Sequence, residues 1–319
     1  MMRIFYYCSA NDRPTGGSKI TYRHVEILRE LGLEASVVHP QSGFRYDTFD
    51  HTPPVLGISE LDLTGSDVVV LPEDGGRALL TFARGVRKVL FNQNAYFSFK
   101  GFADLGAPLP PYLDPEYLGI LVVSEDNQAY LEYAFPGVRV HRIHLSLNYQ
   151  LFARVPFEDK QRCIAFMTRK NTADLLQVLQ ILRSRGSLRG WTLAPIIDQS
   201  EQGVAGILGI ASIFLSFGHQ EGISLSNLEA LACGCRVIGY SGMGCREYFS
   251  GDRCRAVEMG DVIAFVRAVE EEIDRFERGC PALVAQTSEG SSSVRERYSP
   301  ERERSDLKEF YSWLLAQPF

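Results

Sequence analysis

The chain has 319 residues, 45% of them hydrophobic, which is enough for two domains of ordinary size with substantial cores. Its formal net charge of −6 is spread along the chain, so no field gathers a polyanion and nucleic acid is excluded as an expected partner. No apolar stretch approaches the roughly 20 residues that span a bilayer, MMRIFYYCSAND reads as a strand instead of a signal peptide, and seven cysteines without CxxC spacing argue against a disulfide framework or zinc site.

A cytoplasmic protein is therefore expected. Arg3 to Cys8 is a first strand, followed by the turn NDRPTGGS and a helix over KITYRHVEILRELG. In that helix Ile20, Val25, Ile27, Leu28 and Leu31 recur at near-helical spacing until Gly32. Gly16 and Gly17 leave room for a phosphate or an acceptor at the helix N-terminus, with a plain tight turn as the alternative. The dinucleotide fingerprint GxGxxG is absent.

Glu34 to His39 is a second strand, and the aperiodic segment 40–54 carries Phe44, Tyr46, Phe49 and His51, as ligand-contacting loops do. Asp67 to Leu71 is a third strand, RALLTFARG a short helix and RKVLFNQ a fourth strand. At the end of that strand stand Asn92, Gln93 and Asn94, followed by the Pro-rich loop NAYFSFKGFADLGAPLPP, where an open α/β sheet binds its ligands. Ordinary turn chemistry is the other reading of the three amides. Leu118 to Ser124 is a fifth strand, EDNQAYLEYAF a helix capped by Ser124, and VRVHRIHLSL a last strand. His141 and His144, three apart on that strand, face opposite sides and do not make a shared metal site. Residues 1–148 thus alternate strand and helix, which implies a parallel sheet covered on both faces, and 149–161 reads as a linker.

Arg162 to Thr168 opens the second half as a strand and leads through Arg169 and Lys170 into the helix TADLLQVLQILRSRG. Two cations beside a helix N-terminus suit a diphosphate. WTLAPII, a short helix EQGVAGILG and the apolar strand ASIFLSF follow. After ASIFLSF comes GHQEGISLSNLEALACG, where a helical pattern begins after Gly222, with Leu225, Leu228, Leu231 and Ala232 on one stripe. The backbone N–H groups of Gly222 through Leu225 lack intrahelical partners and can donate to phosphate or sugar oxygens, while Ser224 or Ser226 is placed to cap the helix. Glu221 and Glu229 bracket the turn. Eight helical steps rise about 12 Å, so the pair suits the two ends of one extended ligand and not a shared metal. The chain continues as RVIGY, a turn and helix SGMGCREYF, CRAVEM and a long helix DVIAFVRAVEEEIDRFERG. Residues 281–299 are polar and Ser-rich, a surface segment or frayed helix. SPERERSDLKEFYSWLL is a final helix with Leu307, Phe310, Tyr311 and Leu314 on one face.

The stretch EGISLSNLEALACGCRVIGYSGMGCREYF resembles the Glu, seven residues, Glu donor signature of GT-B glycosyltransferases of the retaining family 4 type. The resemblance implies an α/β chain of two Rossmann-like domains with parallel sheets facing across a cleft. Residues 1–148 would take the acceptor, 162–299 the nucleotide sugar, and a helix over 300–319 would cross back to the first domain. It implies that Glu221 touches the donor sugar and Glu229 the ribose, with Gly222, Ile223, Ser224 and Leu225 completing the donor loop. Ile223 and Ser224 replace a common Phe-Gly. Arg169 and Lys170 would neutralise the leaving diphosphate, Arg169 being the better assignment of the adjacent pair, so that Glu221, Arg169 and Lys170 form the catalytic set. Gly16 and Gly17 would lie on the cleft floor, Gly242 and Gly244 would close against the donor, Glu247 would lend support, and Asn92, Gln93, Asn94 and Tyr96 would face the acceptor. The implied partners are a nucleotide-diphosphate sugar and a glycan, lipid-linked or small-molecule acceptor, with peripheral membrane contact through Tyr96 to Phe102. No cofactor and no metal are implied, and no protein nucleophile. Three alternatives stand beside this reading: a nucleotide-sugar epimerase, which would consume donor without acceptor; a Rossmann oxidoreductase, weakened by the missing glycine fingerprint, which would bind nicotinamide; and a non-catalytic glycan-binding or scaffold protein, which would bind nucleotide weakly or not at all.

Overall fold

The structure, a computed structural model, describes residues 2–317 except 12, 13, 47, 48, 50, 103, 105, 107 and 250, so parts of the NDRPTGGS turn and of the two long loops lie outside the described residues. The strands are β1 (Arg3–Tyr7), β2 (Glu34–His39), β3 (Val55–Gly57), β4 (Val68–Pro72), β5 (Arg87–Asn92), β6 (Tyr117–Val122), β7 (Val140–Arg142), β8 (Gln161–Met167), β9 (Thr192–Ile196), β10 (Ala211–Phe217), β11 (Arg236–Tyr240) and β12 (Cys254–Val257). The helices are α1 (Gly16–Glu30), α2 (Glu125–Ala134), α3 (Thr172–Arg185), α4 (Glu201–Ile210), α5 (Leu225–Ala232), α6 (Val262–Glu277), α7 (Pro281–Arg297) and α8 (Pro300–Leu315). They form two compact units, one of Met1–Leu145 with Pro300–Phe319, the other of Ser146–Ser299.

In the first unit seven parallel strands lie in the order β3-β2-β1-β4-β5-β6-β7, so the winding reverses between β1 and β4. The central strands are buried apolar runs, as a sheet covered on both faces requires. α1 begins three residues before its apolar pattern, because Thr15 caps it: the Ser18 N–H donates to Thr15 Oγ1 (3.1 Å) and Ser18 Oγ reciprocates as a capping box. Gly16 and Gly17 are therefore first-turn residues and not a preceding turn. RALLTFARG does not form the expected helix. A tight 3₁₀ segment spans Glu73–Leu80 instead, interrupted at Gly76, whose φ of 55° is left-handed. The expected ten-residue strand VRVHRIHLSL shrinks to β7, and the chain turns off after Arg142. Its two histidines consequently do not diverge: His141 Nε2 meets the Asp306 carbonyl (2.9 Å) and His144 Nδ1 meets Asp306 Oδ2 (2.7 Å) on α8.

α8 belongs to this unit although the whole second unit intervenes in sequence. Its buried face is Leu307, Phe310, Tyr311 and Leu314. The Tyr311 hydroxyl bonds to that of Tyr6 (2.8 Å), and Arg23 pairs with the fully enclosed Glu303 (2.8 Å). Burial disfavours the Glu303 carboxylate, but Arg23 and His24 more than offset it and bring its pKa down to about 2.

The second unit has five parallel strands in the order β12-β11-β10-β8-β9, reversing between β8 and β10. One face packs Ile213, Leu215 and Ile238 against Val178 and Leu182 of α3 and Phe265 and Val269 of α6. The other packs Phe214 and Val237 against Leu228 and Leu231 of α5 and Val294 of α7. Residues 149–161 are not a loose linker: Phe152 and Phe157 are buried, the Val155 N–H donates to the Cys233 carbonyl (3.2 Å), and Lys160 Nζ donates to the Leu208 carbonyl (2.7 Å). The Ser-rich segment is a complete helix, α7. A Cβ on its Gly290 would lie 3.2 Å from Leu231 Cδ2, and Ser291 Oγ donates to the Ala232 carbonyl (2.8 Å), so small residues let it lie close to α5. SGMGCREYF forms no helix: residues 242–248 are turn.

Candidate functional site

Ligands of open α/β sheets bind at the carboxyl ends of the strands where the winding reverses. In the second unit that place is framed by the residues after β8, Thr168 to Asn171, and those after β10, Gly218 to Ser224. The two segments meet through an ion pair between Lys170 Nζ and Glu221 Oε2. Glu221 is 8% exposed, and its other oxygen, Oε1, is enclosed without a hydrogen-bond partner. A buried carboxylate oxygen in that condition is costly, and native proteins rarely leave one without a purpose. Arg169 is exposed and makes no hydrogen bond or ion pair among the described residues. It is therefore Lys170, and not the Arg favoured by the sequence, that the structure brings onto Glu221.

The loop carrying Glu221 is braced from behind by the Gly-rich turn. The Gly244 N–H donates to the Glu221 carbonyl (3.1 Å), the Ser224 N–H to Cys245 Sγ (3.1 Å), and the Tyr248 hydroxyl to the Ser224 carbonyl (3.2 Å). A Cβ on Gly244 would stand 1.7 Å from the Gly222 oxygen, and one on Gly242 2.4 Å from the His219 oxygen. These glycines are small because protein backbone presses on them, which accounts for both without a ligand. Burial pushes the Cys245 thiol well up, so it acts as a neutral acceptor here. Glu247 is likewise structural, held by Tyr298 and Arg297.

α5 starts at Leu225, later than the sequence pattern, with Ser224 in the cap position. Neither serine caps it in the expected way: the Ser224 and Ser226 hydroxyls pair with each other (3.1 Å), and Ser224 makes no side-chain capping bond. The first-turn amides of α5 are thus left without a side-chain acceptor. Glu221 lies outside the helix and half-buried Glu229 within it, so only four of the eight intervening steps are helical and the straight-helix separation does not apply. Leu228, Leu231 and Ala232 are buried as expected, with Leu225 partly so. Sequence reasoning missed the anchor beneath them, where Asn227 Nδ2 donates to Ser216 Oγ (2.9 Å), which donates to the Tyr240 carbonyl (2.7 Å).

In the first unit, Gly17, Gln93, Asn94 and an unforeseen residue, Glu73, collect at the ends of β1, β4 and β5. A Cβ on Gly17 would lie 2.9 Å from Gln93 Oε1, so the glycine accommodates Gln93, whose Nε2 donates to the Gly17 carbonyl (3.4 Å). Gly16 beside it is exposed. Glu73 is buried and accepts the Asn94 N–H at Oε1 (2.8 Å). Burial raises its pKa to about 8 against the opposing pull of backbone amides, including that of Asn94. The only sequence signal for it is an acid directly after an apolar strand.

Asn92 does not face a ligand. It is wholly enclosed: Nδ2 donates to Ser98 Oγ (2.9 Å) and the Tyr112 hydroxyl (2.8 Å), while Oδ1 has no hydrogen-bond partner among the described residues. Asn94 caps a short turn by accepting the Tyr96 N–H (3.2 Å), and the Tyr96 hydroxyl donates to Asp126 on α2 (2.9 Å). Phe97 and Phe99 of the same loop are exposed. Among the described residues no helix is long and apolar enough to cross a membrane, and no group of three or more His, Cys, Asp or Glu side chains is arranged to hold a metal ion.

No family model matches the chain. It is 26% identical over 292 residues, 86% of its own length and 84% of the relative's, to an alpha-1,6-glucosyltransferase of Actinobacillus pleuropneumoniae serotype 7. Among solved structures it is similar to sucrose-phosphate synthase from Thermosynechococcus elongatus, with a TM-score of 0.71 at 14% identity over 99% of this chain and 100% of that one. It is also similar to Anabaena HepE in complex with UDP-glucose, with a TM-score of 0.72 at 12% identity over 98% and 99% of the two chains. A glycosyltransferase from Rickettsia africae gives 0.71 at 14% identity over 99% of each chain. The fold is GT-B.

Proposed function

We propose that this chain, a glycosyltransferase with the GT-B fold, binds a nucleotide-diphosphate sugar at the strand reversal of its second unit. It then transfers the sugar, with retention, to a glycan, lipid-linked or small-molecule acceptor held by the first unit. The observation that carries the donor site is Glu221, a buried carboxylate with one oxygen paired to Lys170 and the other lacking a partner beside an uncapped helix. A sugar hydroxyl donating to Oε1 would remove that deficit. The diphosphate would draw Lys170, Arg169 and the amides of Gly222, Ile223 and Leu225, the Ser224 amide being held by Cys245, and Glu229 would take the ribose.

As the anomeric bond breaks, negative charge builds on the diphosphate, and cations and dipoles already fixed in place lower the barrier. The departing phosphate oxygen accepts the acceptor's proton, so no protein nucleophile is assigned. With Lys170 and Arg169 supplying positive charge, turnover should persist in excess chelator. Gln93 and Asn94 would bond the acceptor, and exposed Phe97 and Phe99 would meet the membrane if that acceptor is lipid-borne.

The glucosyl activity of the curated relative and the UDP-glucose bound by HepE make UDP-glucose the first donor to test. Calorimetry with UDP-glucose and other sugar nucleotides, followed by product analysis, checks the reading. Glu221→Gln should lower kcat/KM by about a hundredfold, and Glu229→Ala or Arg169→Ala by about tenfold to a hundredfold, in folded protein. Kinetics unchanged in all three would refute the donor site, and an inverted anomeric product would refute retention alone.

A further inference from the structure

We infer that Asn171 is a positioning residue that fixes Lys170 for the donor diphosphate by clamping the end of β8 to the end of β10, an inference that rests on the donor reading above. Asn171 follows Lys170 directly and stands at the cap position of α3 with φ 43° and ψ 45°, in the left-handed region. L-residues avoid that region because Cβ crowds the following carbonyl, and asparagine is among the few that tolerate it. Such strain persists only where its surroundings enforce it, and it concentrates at functional sites.

Its side chain is diverted from the work usual at this position. Asparagine at a helix cap normally accepts a first-turn amide, yet Asn171 makes no capping bond to α3. Nδ2 instead donates to two successive carbonyls, Phe217 (3.1 Å) and Gly218 (2.9 Å), the last residue of β10 and the first beyond it. An amide nitrogen has two hydrogens, and both are used across the strand reversal.

The clamp therefore ties the segment bearing Lys170 to the start of the segment bearing Glu221. A cation held in this way loses less conformational freedom when a diphosphate arrives than an untethered one. Arg169, one residue earlier, supplies the contrast, since it has no such tether among the described residues.

Asn171→Gly tests this directly, because glycine adopts the left-handed conformation without strain and removes only the clamp. UDP and UMP are titrated calorimetrically into the full chain, its Asn171→Gly, Lys170→Ala and doubly substituted forms, with melting temperatures as a check on folding. UDP binding should weaken about tenfold in Asn171→Gly and UMP binding by no more than about twofold. The double variant should be no weaker than Lys170→Ala. Asn171→Asp, which keeps the backbone preference but has no N–H to donate, should weaken UDP at least as much. Unchanged UDP affinity in Asn171→Gly, equal losses for UDP and UMP, or losses additive with Lys170→Ala would overturn the clamp. If Glu221→Gln and Lys170→Ala weaken UDP while Asn171→Gly does not, the clamp alone is wrong. If the wild type binds none of UDP, GDP, ADP and dTDP, the donor reading falls and the clamp with it.

Discussion

Each unit reverses its strand order once, between β1 and β4 in the first and between β8 and β10 in the second, but the groups gathered at the two reversals are in different states. At the second, Glu221 Oε1 lacks a partner, Arg169 is exposed and the cap residue of α5 does not cap. At the first, a capping box closes the start of α1, Gln93 lies on Gly17, Glu73 is bonded to the backbone of the following loop, and the atom that lacks a partner, Asn92 Oδ1, is neutral. A charged ligand gains most where charge and hydrogen-bonding capacity are unspent, which favours the second reversal for the proposed diphosphate. The first suits a neutral, hydroxyl-rich molecule that exchanges one set of modest bonds for another.

Gly244→Ala should show the largest departure between the two places. The new Cβ would meet the Gly222 backbone oxygen at 1.7 Å, and no side chain can swing away to relieve it. The loop holding Glu221 must move. We expect UDP affinity to fall by at least about a hundredfold, with a loss of folding stability of roughly 2 kcal/mol or more. Calorimetry and urea unfolding measure the two. Retained affinity would mean that the brace does not set the donor loop.

Two carboxyl groups of the first unit respond to pH in opposite senses. Glu303 has its folded pKa lowered from 4.5 to about 2, so its contribution to stability is present above about pH 4.5 and is lost as pH falls towards 2. Glu73 has its folded pKa raised from 4.5 to about 8, so its contribution is present below pH 4.5 and is lost as pH rises towards 8. Glu303→Gln should therefore be less stable than the wild type at neutral pH, with the gap closing in acid. Glu73→Gln should be more stable, its advantage in the unfolding equilibrium growing by roughly tenfold per pH unit until about pH 8. Urea midpoints between pH 3 and 9 read both, and parallel curves for Glu73→Gln and the wild type would show that this carboxyl is not strained by burial.

What could be read from the sequence follows what advertises itself by pattern. ASIFLSF and RVIGY are continuous apolar runs and form β10 and β11 with the bounds expected, and the stripe of α8 was equally plain. α7 was not, because between Leu283 and Val294 its contact face is Thr287, Gly290 and Ser291, small or polar residues that interrupt the apolar stripe and let the helix lie close. β3 has three residues, too few for a period. Which of Arg169 and Lys170 turns towards Glu221 is a choice that residue types alone do not specify. Glu73 stood unmarked because one acid after a strand is common, and only its enclosure among backbone amides distinguishes it.

Gly17→Ala should give the smallest effect, and its smallness carries the contrast with Gly244→Ala. Both glycines would place a Cβ too close to a neighbour, at 2.9 Å and 1.7 Å. The neighbour of Gly17 is the far end of the Gln93 side chain, which can rotate, whereas that of Gly244 is backbone. Gly17 also lies in the first turn of α1, where alanine is the better helix former by about 1 kcal/mol, offsetting the displacement of Gln93. Melting temperature should barely change and donor affinity not at all, while a shifted Gln93 should raise the acceptor KM by roughly threefold. A change in donor affinity instead would mean that the two reversals do not divide the substrates between them.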